Sequence, residues 1–551
     1  MKYFFEILLF LLISLHVNSA NLLVGPQTTL LDGSVQANRV NPGDTIFMQA
    51  GQWDNIVIRN FTGSADKPLI FINKGGVVTF STNYNFGISI QNCRYFRLTG
   101  TGVKSEFYGI RIEKVENGTG IGVGRLSSDF EIDHVLIKNV PIAGIYAKTD
   151  PDCSGTTTRE KFVQYNTSIH DNYIESAGNE GLYIGNTTFF GQTVKCNGKD
   201  TLLIPSLLEG VKVFRNIIKS SGWDGIQVSS ASKNCAVYEN EIWYDSQAEV
   251  PNQMSGIILG GGSKCDCYNN LISNGKGIGI ENHGLGGNRI FNNLIIDAGR
   301  NYFPGDFSAS KMKYGIFISD VSTLNDSSYF ILHNTIINPK SDGIRFSSVK
   351  SRGNLVASNV IINPGNFDYY ENGNFPVKGI DSYLMLTNVN SDVRQLNNFF
   401  SHDFASAGLD ETFKPKAGSP LVNAGYPGPP TILFDFSNSP RLPGNRPDIG
   451  AFEYQIPDGI EELANSKSNM IELFPNPADQ SITVKFLNSA SSDIEVEVFD
   501  LMGRKQIQKN CGILNPGWNS VRINVEPLTP GTYFLLVRSK GSGAATKFVK
   551  K

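Results

Sequence analysis

The chain has 551 residues, 40% of them hydrophobic and 18% charged, with a formal net charge of −3. The apolar fraction excludes wholesale disorder, and a weakly acidic chain without a Lys/Arg block excludes a nucleic-acid binder. The chain is too long for one small domain and carries 56 glycines, which leaves a solenoid as the economical use of its length.

The N-terminus reads as a signal peptide over residues 1–20. Lys2 supplies the positive end, 7–17 is a short apolar run, and Val17-Asn18-Ser19 offers small residues for cleavage after Ser19 or Ala20. Glu6 is unusual in such a segment. The run is too short for a comfortable transmembrane span and nothing later is long enough. The mature chain is expected outside the cytoplasm.

From Gly87 onward one pattern recurs, a glycine followed by Ile or Leu and, two residues on, usually another apolar residue. Its glycines are Gly87, Gly109, Gly144, Gly181, Gly225, Gly256, Gly277, Gly315, Gly343 and Gly379. Between them falls a second pattern, an apolar residue three positions before Asn-x-Ile, with asparagines at Asn172, Asn216, Asn240, Asn270, Asn293, Asn334 and Asn359. Short strands place side chains alternately in and out. If each coil stacks on the last at strand spacing, isoleucine lies above isoleucine and the core is a column of aliphatic ladders. The asparagines then form a buried ladder of their own, each amide bonded to its neighbours. The glycines are expected to permit the backbone of the corner before each strand. Variable gaps are insertions on the turns, which solenoids tolerate. A leucine-rich horseshoe would need a tighter, leucine-dominated period. The reading is all-β, a parallel β-helix over 21–454.

Two further stretches carry a resemblance. Pro42-Gly43-Asp44-Thr45-Ile46, Ala50-Gly51-Gln52-Trp53 and Gly63-Ser64-Ala65-Asp66-Lys67-Pro68-Leu69-Ile70 resemble the opening coils of pectate-lyase-like, right-handed parallel β-helix proteins. Ser419-Pro420, Ala424-Gly425 and Arg446-Pro447-Asp448-Ile449-Gly450-Ala451-Phe452-Glu453-Tyr454 resemble the closing segment of bacterial surface β-helices. The resemblance is specific for fold and poor for substrate, since that superfamily holds lyases, hydrolases, esterases and binding proteins.

Seven cysteines leave at least one unpaired. Cys235, Cys265 and Cys267 fall at core positions, where small buried apolar residues are the expectation. Cys153 and Cys196 lie in long insertions of consecutive coils, and a disulfide between them is left open. No cysteine/histidine set has zinc-site spacing.

The repeat also aligns outward-facing positions. Before the strand glycines stand Ala143, Glu180, Asp224, Ser255, Lys276, Tyr314 and Asp342, and the first outward residues are Tyr146, Tyr183, Gln227, Ile258, Gly279, Phe317 and Arg345. The next outward row includes Lys148, Ser229, Glu281 and Ser319. Glu180 and Asp224 fall on adjacent coils, so one is expected to titrate high or a cation, Ca²⁺ by its oxygen ligands, to sit between them. Lys148, Lys276, Glu281 and His283 complete the candidate catalytic cluster. Tyr146, Tyr183 and Gln227 are candidate substrate contacts, the rings as platforms for sugars. Insertions at 150–167 and 186–209 flank this face, and Gly260-Gly261-Gly262 and Gly284-Leu285-Gly286-Gly287 are expected to keep the next turns low and open a groove. His134, His170 and His333 read as structural, and no Ser/His/Asp constellation is assigned. The ordered motifs of pectate lyases, alginate and chondroitin lyases and polygalacturonases are not matched.

After a polar linker at 455–469 the composition changes. Phe474-Pro475-Asn476-Pro477, Val496-Glu497-Val498-Phe499-Asp500-Leu501-Met502-Gly503-Arg504, Leu528-Thr529-Pro530-Gly531-Thr532-Tyr533 and Lys547-Phe548-Val549-Lys550-Lys551 are similar to the type IX secretion sorting domain of Bacteroidetes-type bacteria. Alternating apolar runs at 481–486, 495–499 and 532–537 read as strands of a small β-sandwich over 470–551. The resemblance implies recognition by the secretion machinery and a secreted or outer-membrane-surface location on a Gram-negative bacterium. The functional expectation is a monomer that acts on polysaccharide, by β-elimination of uronate glycans or by hydrolysis; the rival is a non-catalytic glycan-binding or adhesion protein.

Overall fold

A computed structural model describes residues 21–303, 311–365, 383–441, 446–454, 471–488, 491–500, 504–539 and 542–551. The expected signal peptide and linker, the Gly379-Ile380 repeat and Leu501-Met502-Gly503 lie outside them.

Each central coil holds three short strands, as in Lys212–Phe214, Ile217–Lys219 and Ile226–Val228. The next coil repeats them as Cys235–Tyr238, Glu241–Trp243 and Ser255–Leu259. Pairing is parallel from coil to coil, so Val213 meets Val237, Ile218 meets Ile242 and Ile226 meets Ile257. Among the described residues the third strands form a sheet of 12, and the first two strands of every coil merge into one of 23. The ladder isoleucines are fully buried, each worth about 1.5–3 kcal/mol of transfer energy. This is a right-handed parallel β-helix.

The asparagines form the expected ladder. Asn216 Nδ2 donates to Asn240 Oδ1 at 3.0 Å, Asn240 to Asn270 at 3.0 Å, and the chain of amides runs from Asn172 to Asn398. Asn398 escaped the sequence pattern because Phe400, not isoleucine, follows two positions on.

Three expectations need correction. The strand glycines do not make the corner before the third strand: the left-handed residues on that stretch are Ser220, Tyr244 and Asn274, with φ of 55, 58 and 58°. The glycines are required by contact instead. A Cβ on Gly144, Gly181, Gly225, Gly256 or Gly315 would lie 2.5–2.6 Å from the Cγ2 of the next coil's isoleucine. Second, Gly109 lies just before a strand of the larger sheet, Ile110–Val115, and the column runs from Gly87 to Gly120. Within Gly277-Ile278-Gly279-Ile280 it is Ile280 that pairs with Ile257. Two overlapping Gly-Ile pairs made that register ambiguous by two residues. Lys276 therefore leaves the first row, Glu281 moves up to the row of Gln227, and His283 takes its place in the outer row. Third, Cys235 and Cys265 are joined as a disulfide across adjacent coils; the Cys153–Cys196 disulfide, which the sequence left open, is present as well. Directly opposed strand positions bring two cysteines within bonding reach.

The described residues between 471 and 551 form two antiparallel sheets. One is Ile471–Phe474, Ser481–Asn488 and Gly517–Asn524; the other is Lys505–Leu514, Ser492–Asp500, Gly531–Ser539 and Ser542–Lys550. Ile482, Val484, Val496, Val498, Leu535 and Phe548 fill the core between them.

Candidate functional site

The outward face of the 12-stranded sheet carries the candidate residues in three rows. Insertions after Ile145–Ala147 and Leu182–Ile184 stand along one side. They act as one body: besides the Cys153–Cys196 bond, Arg159 donates to Phe189 O at 2.6 Å and Pro205 O at 3.2 Å. The low turn expected to open a groove is filled, because the Phe189 ring occupies the place where a Cβ on Gly262 would sit. The segment after Trp243 borders the other side, bringing Asp245 and Glu249; that before Ile316 brings Lys313.

Glu180 and Asp224 do stack, the Gly181 N–H donating to Asp224 O at 3.1 Å and the Gly144 N–H to Glu180 O at 3.1 Å. Both side chains are buried. Asp224 has no hydrogen-bond partner on either carboxylate oxygen among the described residues, and Gln227 Nε2 and Ser229 Oγ on the same strand are likewise unpartnered. Burial, then the charges of Glu281, Glu180 and Asp245, push the Asp224 carboxyl far above its ordinary range. Burial raises Glu180 to about 6 and Asp245 to about 6. A buried carboxylate with nothing to neutralise it is costly, so this strand calls for a proton or a cation.

Lys313, which the sequence reading passed over, faces that cluster. Burial lowers its pKa to about 8, against the charges of Glu281, Asp245 and Asp224. Its signal lay in three dimensions: a lysine in a long insertion has no repeat position to mark it.

Lys148 is unsuited to the role of base. Its Nζ lies 2.8 Å from Asp150 and 5.0 and 4.7 Å from the ring centres of Tyr146 and Tyr183. Burial works against the ammonium, but the Tyr183 and Tyr146 hydroxyls and Asp150 outweigh it and hold the pKa above its ordinary range. The two rings meet edge to face at 5.0 Å, and burial pushes Tyr146 up to about 12. Lys276 is tied to Glu249 at 2.6 Å and stands outside the rows.

Glu281 Oε2 accepts from Ser255 Oγ at 2.6 Å, and Oε1 lies 3.0 Å from His283 Nε2. Burial opposes its ionisation, but His283, Ser255 and Lys313 outweigh that and lower its pKa. His283 Nδ1 is hydrogen-bonded to Ser319 Oγ. A Ser/His/Glu constellation therefore exists where none had been assigned, hidden by the two-residue ambiguity of register.

Of the histidines read as structural, His170 joins Glu131 and Asp133 in the one His/Cys/Asp/Glu group of ligand-like spacing among the described residues. Arg97 already occupies it, with Asp133 at 2.7 Å and Glu131 at 3.0 Å. His333 is buried against Asp448 O at 3.1 Å.

The class defined by this fold and face is a parallel β-solenoid with a file of titratable residues on the outward side of one sheet. Residues 207–380 match the family model for a right-handed β-helix region, and 472–551 match that for a secretion system C-terminal sorting domain. The chain is a right-handed parallel β-helix protein with a type IX secretion sorting domain, directed to the cell surface or beyond it. No curated protein matches the chain. Among solved structures it is similar to that of pectate lyase Pel9A, at 14% identity and a TM-score of 0.37, covering 80% of this chain and 98% of that one. No helix among the described residues is long and apolar enough to cross a membrane.

Proposed function

We propose that this protein is a polysaccharide lyase that cleaves uronate glycans by β-elimination in the groove of the 12-stranded sheet. The observation that carries the reading is that Lys313, a buried amine with its pKa lowered to about 8, lies within electrostatic reach of Asp224, a buried carboxylate with no hydrogen-bond partner among the described residues. Elimination needs a neutral base for the proton α to the uronate carboxylate and a positive charge to neutralise that carboxylate. Lys313 Nζ takes the proton, the bond from the β-carbon to the leaving sugar oxygen breaks, and a carbon–carbon double bond forms. Glu180, protonated up to about pH 6 by burial, supplies the leaving oxygen with a proton. The orphaned oxygens of Asp224 would hold a Ca²⁺ ion, which would supply positive charge to the uronate carboxylate. Lys148, Tyr146, Tyr183 and Gln227 contact the polymer rather than the reacting carbon.

The edge-to-face tyrosine pair beside Lys148 favours a second reading, a glycan-binding surface protein without turnover. In either case the sorting module engages the type IX machinery, and the protein works as a monomer on the surface of a Gram-negative bacterium. A panel of alginate, pectate and glycosaminoglycans, with and without Ca²⁺, tests the proposal. The expected result is a rise in ultraviolet absorbance from unsaturated ends that Lys313→Ala abolishes. Saturable binding without that signal would support the binding protein instead.

A further inference from the structure

β-Elimination makes no use of one arrangement in the groove. Glu281 and His283 are two residues apart along one strand edge and so point to the same side. On the next coil Glu281 pairs with Phe317 and Asn282 with Ile318, which sets His283 beside Ser319. The sequence of contacts is Ser319 Oγ to His283 Nδ1, then His283 Nε2 to Glu281 Oε1 at 3.0 Å. Ser255 on the preceding coil fixes the far oxygen of Glu281 at 2.6 Å, so the carboxylate cannot swing away from the imidazole. A nucleophile within hydrogen-bond reach of a base, itself oriented by an ionised acid, is the recurring design for acyl transfer, recognised by roles rather than by chain order.

The surroundings suit that chemistry. The His283 side chain is 19% exposed and Ser319 is half-buried, so both are reachable. Phe317 packs edge-on against the imidazole at 6.3 Å. Val321, two residues beyond Ser319, is 53% exposed, and a Cβ on Gly261 would touch both it and Phe189. Phe189, Phe317 and Val321 thus make that side of the site apolar.

We propose that Ser319, His283 and Glu281 form a serine-nucleophile relay that cleaves short-chain carboxylic esters of the kind carried by O-acylated sugars. Ser319 Oγ attacks the acyl carbon and its proton passes to His283 Nδ1. The bond from the acyl carbon to the sugar oxygen then breaks, and that oxygen leaves with the proton from His283. Water attacks the acyl-Ser319 ester, again giving its proton to His283, and frees the carboxylic acid and the serine hydroxyl. Glu281 keeps its negative charge throughout and stabilises the imidazolium. This second activity takes no chemical step from Lys313 or Asp224, and Lys313 bears on it only through its charge near Glu281.

The test is labelling of the full-length chain with a fluorophosphonate reporter, read by peptide mass spectrometry, together with hydrolysis of 4-nitrophenyl acetate. The wild type is expected to carry the label on Ser319. Ser319→Ala should lose the label and the hydrolysis, and His283→Gln should lower both by a hundredfold or more. Glu281→Gln should slow labelling while leaving Ser319 as its site. Melting curves run on each variant, with Ser319→Thr as a second substitution of the nucleophile, separate lost chemistry from lost fold. A folded wild type that stays unlabelled would overturn the proposal. So would labelling of Ser319→Ala, or of a folded His283→Gln, at the wild-type rate.

Discussion

The Cβ that Gly225 lacks would stand 2.6 Å from Cγ2 of Ile242 on the next coil. The two repeating patterns of the sequence, glycine-isoleucine and Asn-x-Ile, are therefore two sides of one contact: each isoleucine projects into the notch left by the glycine of the coil before it. Gly225→Ala should overpack that notch and cost about 1–3 kcal/mol. Gly122→Ala, whose Cβ would meet nothing closer than 3.6 Å, is the matched control. Denaturant melts of the two variants check this, the first shifted and the second near wild type.

Asn240 offers a sharper probe of the ladder. Its Oδ1 accepts both the backbone N–H and Nδ2 of Asn216, at 3.1 and 3.0 Å, and its own Nδ2 donates to Val213 O at 3.0 Å and Asn270 Oδ1 at 3.0 Å. Removing the amide leaves buried donors and an acceptor unmet, each worth about 1–3 kcal/mol. Asn240→Ala should lower the melting temperature more than Asn139→Ala, whose amide makes a single bond at the surface. Equal effects would argue against a continuous ladder.

The joined insertions predict a local effect. The Cys153–Cys196 bond closes a separation of 43 residues, for which chain entropy gives about 2–4 kcal/mol. The double variant Cys153→Ser/Cys196→Ser should be cut by protease within 150–206 well before the solenoid unfolds. Cleavage that waits for global unfolding would show that Arg159 and the strand pairings hold the wall unaided.

What was legible in the sequence, and what was not, follows from the physics of the repeat. Positions such as Ile218, Ile242 and Asn240 could be placed because every coil states the same constraint. Glu180 and Asp224 could be set on adjacent coils for the same reason. Glu281, His283 and Ser319 could not be joined, because Gly277-Ile278-Gly279-Ile280 satisfies the pattern twice and a two-residue slip preserves which side chains face outward. Lys313 and Asp245 come from insertions, where the repeat gives no coordinates. Their burial is a property of the folded surface alone.

Stability should fall as pH rises across neutrality. Burial raises the Glu453 carboxyl to about 7, and Glu180 and Asp245 to about 6. Their ordinary values are 4.5 for the glutamates and 3.8 for the aspartate. In that window the folded chain holds protons that the unfolded chain has released, so the stabilisation is complete below the ordinary values and is lost as pH climbs through 6 and 7. His333, held below its ordinary value by burial and by Arg441, and Lys313, lowered by burial to about 8, oppose the trend. Melting temperature is expected to drop by a few degrees between about pH 5 and about pH 8, and Glu453→Gln should flatten part of the slope. A melting temperature that rises over this range would contradict the assignment.

The lyase reading is tested most directly by the mass of the products from a defined uronate oligomer. Elimination gives two fragments whose masses sum to that of the substrate, one of them unsaturated, and Lys313→Ala should release neither. Fragments that together exceed the substrate by the mass of one water would show hydrolysis and contradict the account.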